Sequence, residues 1–167
     1  MLVRREEIED CRAVRLVNEQ AFGRQDEADL VDRLRMEGAV LVSLVAEAQG
    51  RIAGHILFSR MWIETAREPV PAVALAPLAV IPDLQRQGIG GTLIEQGLDW
   101  LGRGAEKIVL VLGHPEYYTR FSFSTGKTLL LDSPFNPKAF MGLELRPGAL
   151  ENLHGRVRYP DAFRLQS

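Results

Sequence analysis

The stretch best suited to chemistry is Gln85-Arg86-Gln87-Gly88-Ile89-Gly90-Gly91. It follows the apolar run Leu75–Ile81 and leads straight into an amphipathic segment. The first N–H groups of a helix have no partner inside it, and aligned peptide dipoles leave partial positive charge there. Glycines let a ligand approach the main chain closely. Together these features describe a cradle for a phosphate or pyrophosphate. Arg86 adds a full positive charge at the same place. Two familiar phosphate loops do not fit. The dinucleotide fingerprint requires a third glycine where Leu93 stands, and the Walker loop requires Gly-Lys followed by Ser or Thr after these glycines. A tight strand-to-helix turn with no ligand is the other reading of Gly-x-Gly alone. Elsewhere, the three histidines are far apart and Cys11 is the single cysteine, so no metal site is expected. No Ser-His-Asp or Cys-His arrangement has local support.

The elements that must position this loop can be read from periodicity. Residues 2–5 suit a short first strand. From Ile8 to Phe22, the residues Ile8, Cys11, Val14, Val17 and Ala21 recur every three or four positions, which predicts an amphipathic helix with Cys11 as core filler. A second helix is expected over 26–36, with Leu30, Val31 and Leu34 inward. The period then changes. Residues 40–47 and 51–63, joined by Gln49-Gly50, read as an antiparallel hairpin. Residues 71–80 form a third, almost wholly apolar strand, expected to be covered on both faces. Pro77 cannot donate to a ladder, so this strand should be bulged or unpaired on one side there. A helix follows from Ile89 to about Leu101, then a strand over 107–112 and a short helix over 115–121. Leu129-Leu130-Leu131, residues 141–145 and Arg156-Val157-Arg158-Tyr159 are weaker strand candidates. Trp62 and Trp100 look like core or boundary residues. Antiparallel hairpins followed by a β-α-β crossover predict a mixed α/β sheet with helices on both faces.

Composition agrees with a folded domain. The chain has 167 residues, 46% hydrophobic and 25% charged, with a net charge of -2. One domain over 1–167 is the expectation, and a disordered chain is excluded. The balance shows no electrostatic footprint for nucleic acid. Seventeen arginines stand against three lysines, and several near one pocket would suit an anionic ligand. No signal peptide and no membrane span are expected, and with one cysteine the chain reads as cytoplasmic.

Gln85-x-x-Gly88-x-Gly90 after a strand ending Leu78-Ala79-Val80 resembles the acyl-CoA-binding motif of the GCN5-related N-acetyltransferase (GNAT) superfamily, and most of all its YhbS-like group. The likeness is strongest over residues 71–123. A second matching element is His114-Pro115-Glu116-Tyr117-Tyr118-Thr119-Arg120-Phe121-Ser122-Phe123, where family members carry a tyrosine four residues before Gly-Phe. Here Ser122 replaces that glycine. The resemblance implies a GNAT-like fold: a mostly antiparallel sheet splayed between the strands 71–80 and 107–112. It implies acetyl-CoA as acyl donor. The amides from Arg86 to Gly91, including Gln87 and Ile89, would hold the pyrophosphate. Leu78, Ala79 and Val80 would pair with the pantetheine arm as an added strand. Tyr118 would be the general acid for the departing thiolate, and a phenol with pKa about 10 carries that proton at neutral pH. Tyr117 and His114 would lie beside the thioester, and Tyr117 and Tyr118 can exchange roles.

The implied reaction is direct acyl transfer to a primary amine in a ternary complex. The alternative is a non-catalytic acyl-CoA-binding module on the same fold, favoured by the lack of an acidic residue on strand 71–80. An unrelated α/β protein binding another phosphate ligand is a third reading. Base candidates are Glu64, Glu116, Asp26, Glu27, His55 and His114, each of which also reads as an ordinary surface or structural group. The acceptor carries no signature in the sequence, and a homodimer is the default expectation.

Overall fold

The computed structural model describes residues 1–166, with side chains described through Phe163. Its strands are β1 (Leu2–Arg5), β2 (Val40–Ala48), β3 (Arg51–Glu64), β4 (Val70–Val80), β5 (Ile108–Leu112), β6 (Leu131–Asp132), β7 (Phe140–Glu144) and β8 (Gly155–Arg158). Its α-helices are α1 (Cys11–Phe22), α2 (Asp26–Met36), α3 (Ile89–Gly102) and α4 (Pro115–Tyr118). The sheet runs β1-β2-β3-β4-β5-β7, with β8 beside β3 and β6 beside β8. Pairing is mostly antiparallel; β4 with β5 and β6 with β8 are the parallel pairs. The mixed, open sheet expected from the sequence is present. The chain divides into two compact units, with β3, β4 and α3 each contributing to both.

The first unit contains Met1–Ser59, Ala76–Gly97 and the residues from Pro160. Its β2–β3 hairpin turns at Gln49-Gly50, both with positive φ, which matches the twist of the strands. Val14 of α1, Leu30, Val31 and Leu34 of α2, and Val45 and Leu57 of the hairpin form its core. Gly23, at φ 68, ends α1 and donates its N–H to the Glu19 carbonyl.

A polar chain crosses this core. The Asn18 amide nitrogen donates to the Val14 carbonyl (3.0 Å) and lies 3.1 Å from His55 Nδ1. A carbonyl can only accept, so the amide orientation is fixed and His55 Nδ1 is the acceptor. Its proton therefore sits on Nε2, 2.9 Å from Ser43 Oγ, and Ser43 in turn donates to Glu6 (2.8 Å). Glu6 pairs with Arg35. Gly54, one residue before His55, points to the other face of β3. A Cβ there would lie 2.9 Å from Ile89 Cγ2 and 3.0 Å from Leu93 Cδ1. Hence α1 and α3 lie on opposite faces of this strand.

The second unit contains Arg60–Leu75 and Leu98–Tyr159. The far end of β3 pairs with β8 through Trp62↔Arg158, Ile63↔Val157 and Glu64↔Arg156. Arg60 pairs with Glu106 and donates to the Ala72 carbonyl (3.1 Å). Arg146 donates to the Gly102 and Gly104 carbonyls (3.1 and 2.8 Å), supporting the C-terminal end of α3.

Four expectations are corrected. Ile8 lies on a 3-10 turn before α1 and is 88% exposed. Asp10 goes inward instead, held by Arg4 (2.7 Å) and the Glu7 N–H (2.7 Å). Cys11 is half-buried, at the first turn of α1, and is not core filler. Trp62 and Trp100 are 41% and 47% exposed. Strict alternation buries Met61 and Ile63 and turns Trp62 to solvent, where Arg60 lies 5.8 Å from its ring. Leu129 and Leu130 are exposed, and of that run only Leu131 enters a strand, because a 3-10 turn over Thr125–Thr128 precedes it. Among the described residues, no helix is long and apolar enough to cross a membrane.

Candidate functional site

The loop after β4 belongs to the first unit. Ile81 donates to the Ala53 carbonyl (2.9 Å), tying the end of β4 to β3. Pro82–Leu84 then make one 3-10 turn, with Leu84 buried. The Gln85 side chain reaches back to the Val80 carbonyl (2.8 Å), so this residue braces the loop from within. Arg86 and Gly88 take positive φ of 63 and 88. At Gly88 that conformation carries no steric penalty. Its carbonyl accepts from Thr92 N (3.1 Å) and Thr92 Oγ1 (3.0 Å), the first bonds of α3. The N–H groups of Ile89, Gly90 and Gly91 stand ahead of any carbonyl one turn back. Residues 85–88 are exposed and Gly90 and Gly91 half-buried, while Ile89 and Leu93 are buried against Gly54. The turn is anchored on its apolar side and offers its main-chain donors outward, which suits an anion. Arg51 pairs with Asp83 (2.7 Å), so Asp83 enters the loop with its charge matched.

Leu78, Ala79 and Val80 close β4. Leu78 and Val80 are half-buried on one face, and Ala79 is buried on the other. The β4–β5 ladder consists of Val73↔Val109 and Ala74↔Leu110, so it ends before these residues. The strand also carries Pro77, which has no N–H to give.

The tyrosine segment belongs to the second unit. β5 leads to Gly113, whose N–H donates to the Ala139 carbonyl (3.0 Å). The His114 carbonyl accepts from Tyr117 N (3.0 Å) and Tyr118 N (3.1 Å), and Pro115 takes the first helical position, where no N–H is needed. The His114 side chain is exposed. A Cβ on Gly113 would lie 2.5 and 2.9 Å from the Tyr118 ring, so only glycine leaves room for it. Phe123 and Tyr117 meet that ring edge-on, with centroids at 5.8 and 5.1 Å. Burial, and to a lesser degree the neighbouring Tyr117, push the Tyr118 phenol well above its ordinary pKa, so it holds its proton at neutral pH. Burial also raises Tyr117, with Arg120 opposing the rise. Among the described residues, the Tyr118 hydroxyl has no hydrogen-bond partner. Ser122 takes φ 74, the conformation that the glycine of the resembled pattern would occupy without strain.

The structure thus brings Leu78–Val80 and Gln85–Gly91 together in one unit, and His114, Tyr117 and Tyr118 in the other. Of the base candidates, His55 is fully buried in the polar chain; burial and then the Arg35 charge push its pKa down to about 3. Glu27 pairs with Arg24, Asp26 lies 3.9 Å from that arginine, and Glu64 lies 3.8 Å from Arg158. Glu116 is exposed in the first turn of α4. Nothing local in the sequence marks Gly54 or Gly113, since side chains distant from, or folded back onto, their own backbone crowd both positions.

Residues 6–123 match the model of the acetyltransferase (GNAT) family. The chain is 32% identical to YhbS of Escherichia coli strain K12, an uncharacterized N-acetyltransferase, over 98% of both chains. It is 40% identical to YjhQ of the same strain, another uncharacterized N-acetyltransferase, over 68% of this chain and 64% of YjhQ. Among solved structures, E. coli YhbS in complex with CoA superposes with a TM-score of 0.89 at 31% identity, covering 98% of this chain and 91% of that one. A GNAT family acetyltransferase from Brucella melitensis in complex with acetyl-CoA gives 0.81 at 34% identity, covering 97% of each. By its family match, its relatives and its fold, the chain belongs to the GNAT family of acetyltransferases.

Proposed function

We propose that the chain, as one domain over 1–167, transfers the acetyl group of acetyl-CoA to a primary amine by direct attack in a ternary complex. The observation that carries this reading beyond simple binding is Tyr118. Its ring is seated against Gly113, Phe123 and Tyr117, and its hydroxyl, protonated at neutral pH, has no hydrogen-bond partner among the described residues. The complexes of YhbS with CoA and of the Brucella protein with acetyl-CoA support the donor. The residues present fit it. The amides from Arg86 to Gly91 receive the pyrophosphate, with Gln85 holding the loop closed. Leu78, Ala79 and Val80 offer their backbone to the pantetheine amides. Tyr117 and His114 flank the reacting end.

The neutral amine nitrogen bonds to the thioester carbonyl carbon and the C–S bond breaks. The sulfur takes the Tyr118 proton, the nitrogen gives up a proton to solvent, and the phenolate regains one from solvent. A main-chain N–H near Leu78 or Ala79 stabilises the oxyanion. The acidic candidates are exposed or already ion-paired, so the amine is expected to enter after losing its proton to water rather than to a buried base. The reaction would then quicken with rising pH until the amine is neutral.

The test combines CoA titration by calorimetry with thiol release from acetyl-CoA across a panel of primary amines: amino acids, polyamines, aminoglycosides and peptide N-termini. Amine-dependent release supports the proposal. Saturable CoA binding without release by any amine makes the chain a carrier or regulatory module, the reading favoured by the absence of a carboxylate on β4. No CoA binding removes both.

A further inference from the structure

α4 has 4 residues, and the 3-10 turn after it, Thr119–Phe121, has 3. Helices this short do not hold a side chain in place by themselves. The Tyr118 ring is seated against Gly113, Phe123 and Tyr117. Gly113 follows β5, and Phe123 is buried. Tyr117 is different. It is half-buried, and its outer side is covered by a surface charge: the Arg120 guanidinium lies 4.7 Å from the Tyr117 ring centre and 5.5 Å from that of Phe121. Arg120 Nε also donates to the Tyr117 carbonyl at 3.3 Å. Tyr117 meets Phe121 at 5.4 Å and Tyr118 at 5.1 Å, the latter with the rings at 88°. Arg120 thus closes a clasp of three aromatic rings around the turn that carries the phenol. No acidic side chain pairs with it among the described residues.

We infer that Arg120 is a positioning residue for Tyr118, acting through the Tyr117 ring; this rests on the acid role proposed above. A cation over a ring holds that ring, and the held ring packs at 88° against Tyr118. Proton transfer in the transition state requires the phenol within hydrogen-bond reach of the sulfur, so small losses of placement lower turnover rather than binding.

The test is a double-mutant cycle on steady-state kinetics with acetyl-CoA and the best amine of the panel. Arg120→Ala is expected to lower kcat about tenfold while KM for acetyl-CoA stays within about twofold. Tyr117→Phe, which keeps the ring, should lose less than Tyr117→Ala. Tyr117→Ala should fall as Arg120→Ala does, and the double variant should be no worse than Tyr117→Ala. Arg120→Lys should recover part of the loss, since an ammonium can lie over the ring but cannot stack flat on it. An effect of Arg120→Ala that falls on KM, that adds fully to Tyr117→Ala, or that is absent would overturn the inference. Tyr118→Phe run alongside separates the two claims. If it retains full turnover, the acid role itself fails; if it loses turnover while Arg120→Ala does not, only the positioning role fails. Melting curves for each variant identify any that do not fold, and Arg120→Lys, the mildest change, then decides alone.

Discussion

An aromatic acid needs neighbours that fix its ring and room enough to aim its hydroxyl. Tyr118 has both, the first from its aromatic neighbours and the second from Gly113. Tyr118→Phe is therefore expected to lower kcat by about 10²-fold or more, with CoA affinity by calorimetry little changed. Gly113→Ala puts a methyl within 2.5 Å of the ring and should copy that kinetic pattern without touching the phenol's chemistry. Ser122 tests a different point. Its φ of 74 is costly for a side chain and free for glycine, so Ser122→Gly should raise stability by about 1 kcal/mol, read as a small upward shift in Tm with turnover retained. The tyrosine was legible because its spacing to Ser122-Phe123 is local. Gly113 was not, because what demands it is a ring that folds back from a later turn.

The same division holds among the elements. The β2–β3 hairpin announced itself through β-branched runs around Gln49-Gly50, and α2 and α3 through regular apolar spacing. The start of α1 misled because Ile8 fits the apolar period, yet Asp10 takes the inward place through its bonds to Arg4 and Glu7. Residue type alone puts Trp62 in the core or at its boundary, whereas the two-residue alternation at this end of β3 turns it outward. Which N–H groups face a ligand depends on how α3 is seated, and that seat is Gly54 against Ile89 and Leu93. Gly54→Val should therefore weaken CoA binding by roughly tenfold or more through displacement of the helix start, while Gly54→Ala, whose Cβ would meet Ile89 Cγ2 at 2.9 Å and Leu93 Cδ1 at 3.0 Å, should weaken it less. Gly90→Glu should weaken CoA binding directly, by crowding and repelling the pyrophosphate. Calorimetric titration of the three variants checks both expectations; equal affinities throughout would place the anion cradle elsewhere.

For the molecule as a whole, the buried imidazole ties stability to pH. Unfolded, His55 takes a proton near the ordinary 6.5; folded, it refuses one until about 3. The unfolded chain thus binds more protons throughout that window, and stability should fall as pH drops from 6.5, by up to about 1.4 kcal/mol per pH unit. Above 6.5 the contribution is fully present. Asp10 and Glu144, held below the usual carboxylate range by Arg4 and Lys127, add their losses only at lower pH. Urea midpoints for the parent chain should decline between about pH 6.5 and 5, and those of His55→Gln should stay level there from a lower start. A level parent would remove the assignment. His55 and the glycine before it face opposite ways, and moving a strand by one position swaps its faces. An insertion of one amino acid at the solvent-facing bend Gln49-Gly50 would push an imidazole toward the underside of α3 and bring a hydrogen to the place where Asn18 expects a nitrogen. The length of a surface bend is therefore a constraint on the seat of a helix many residues downstream.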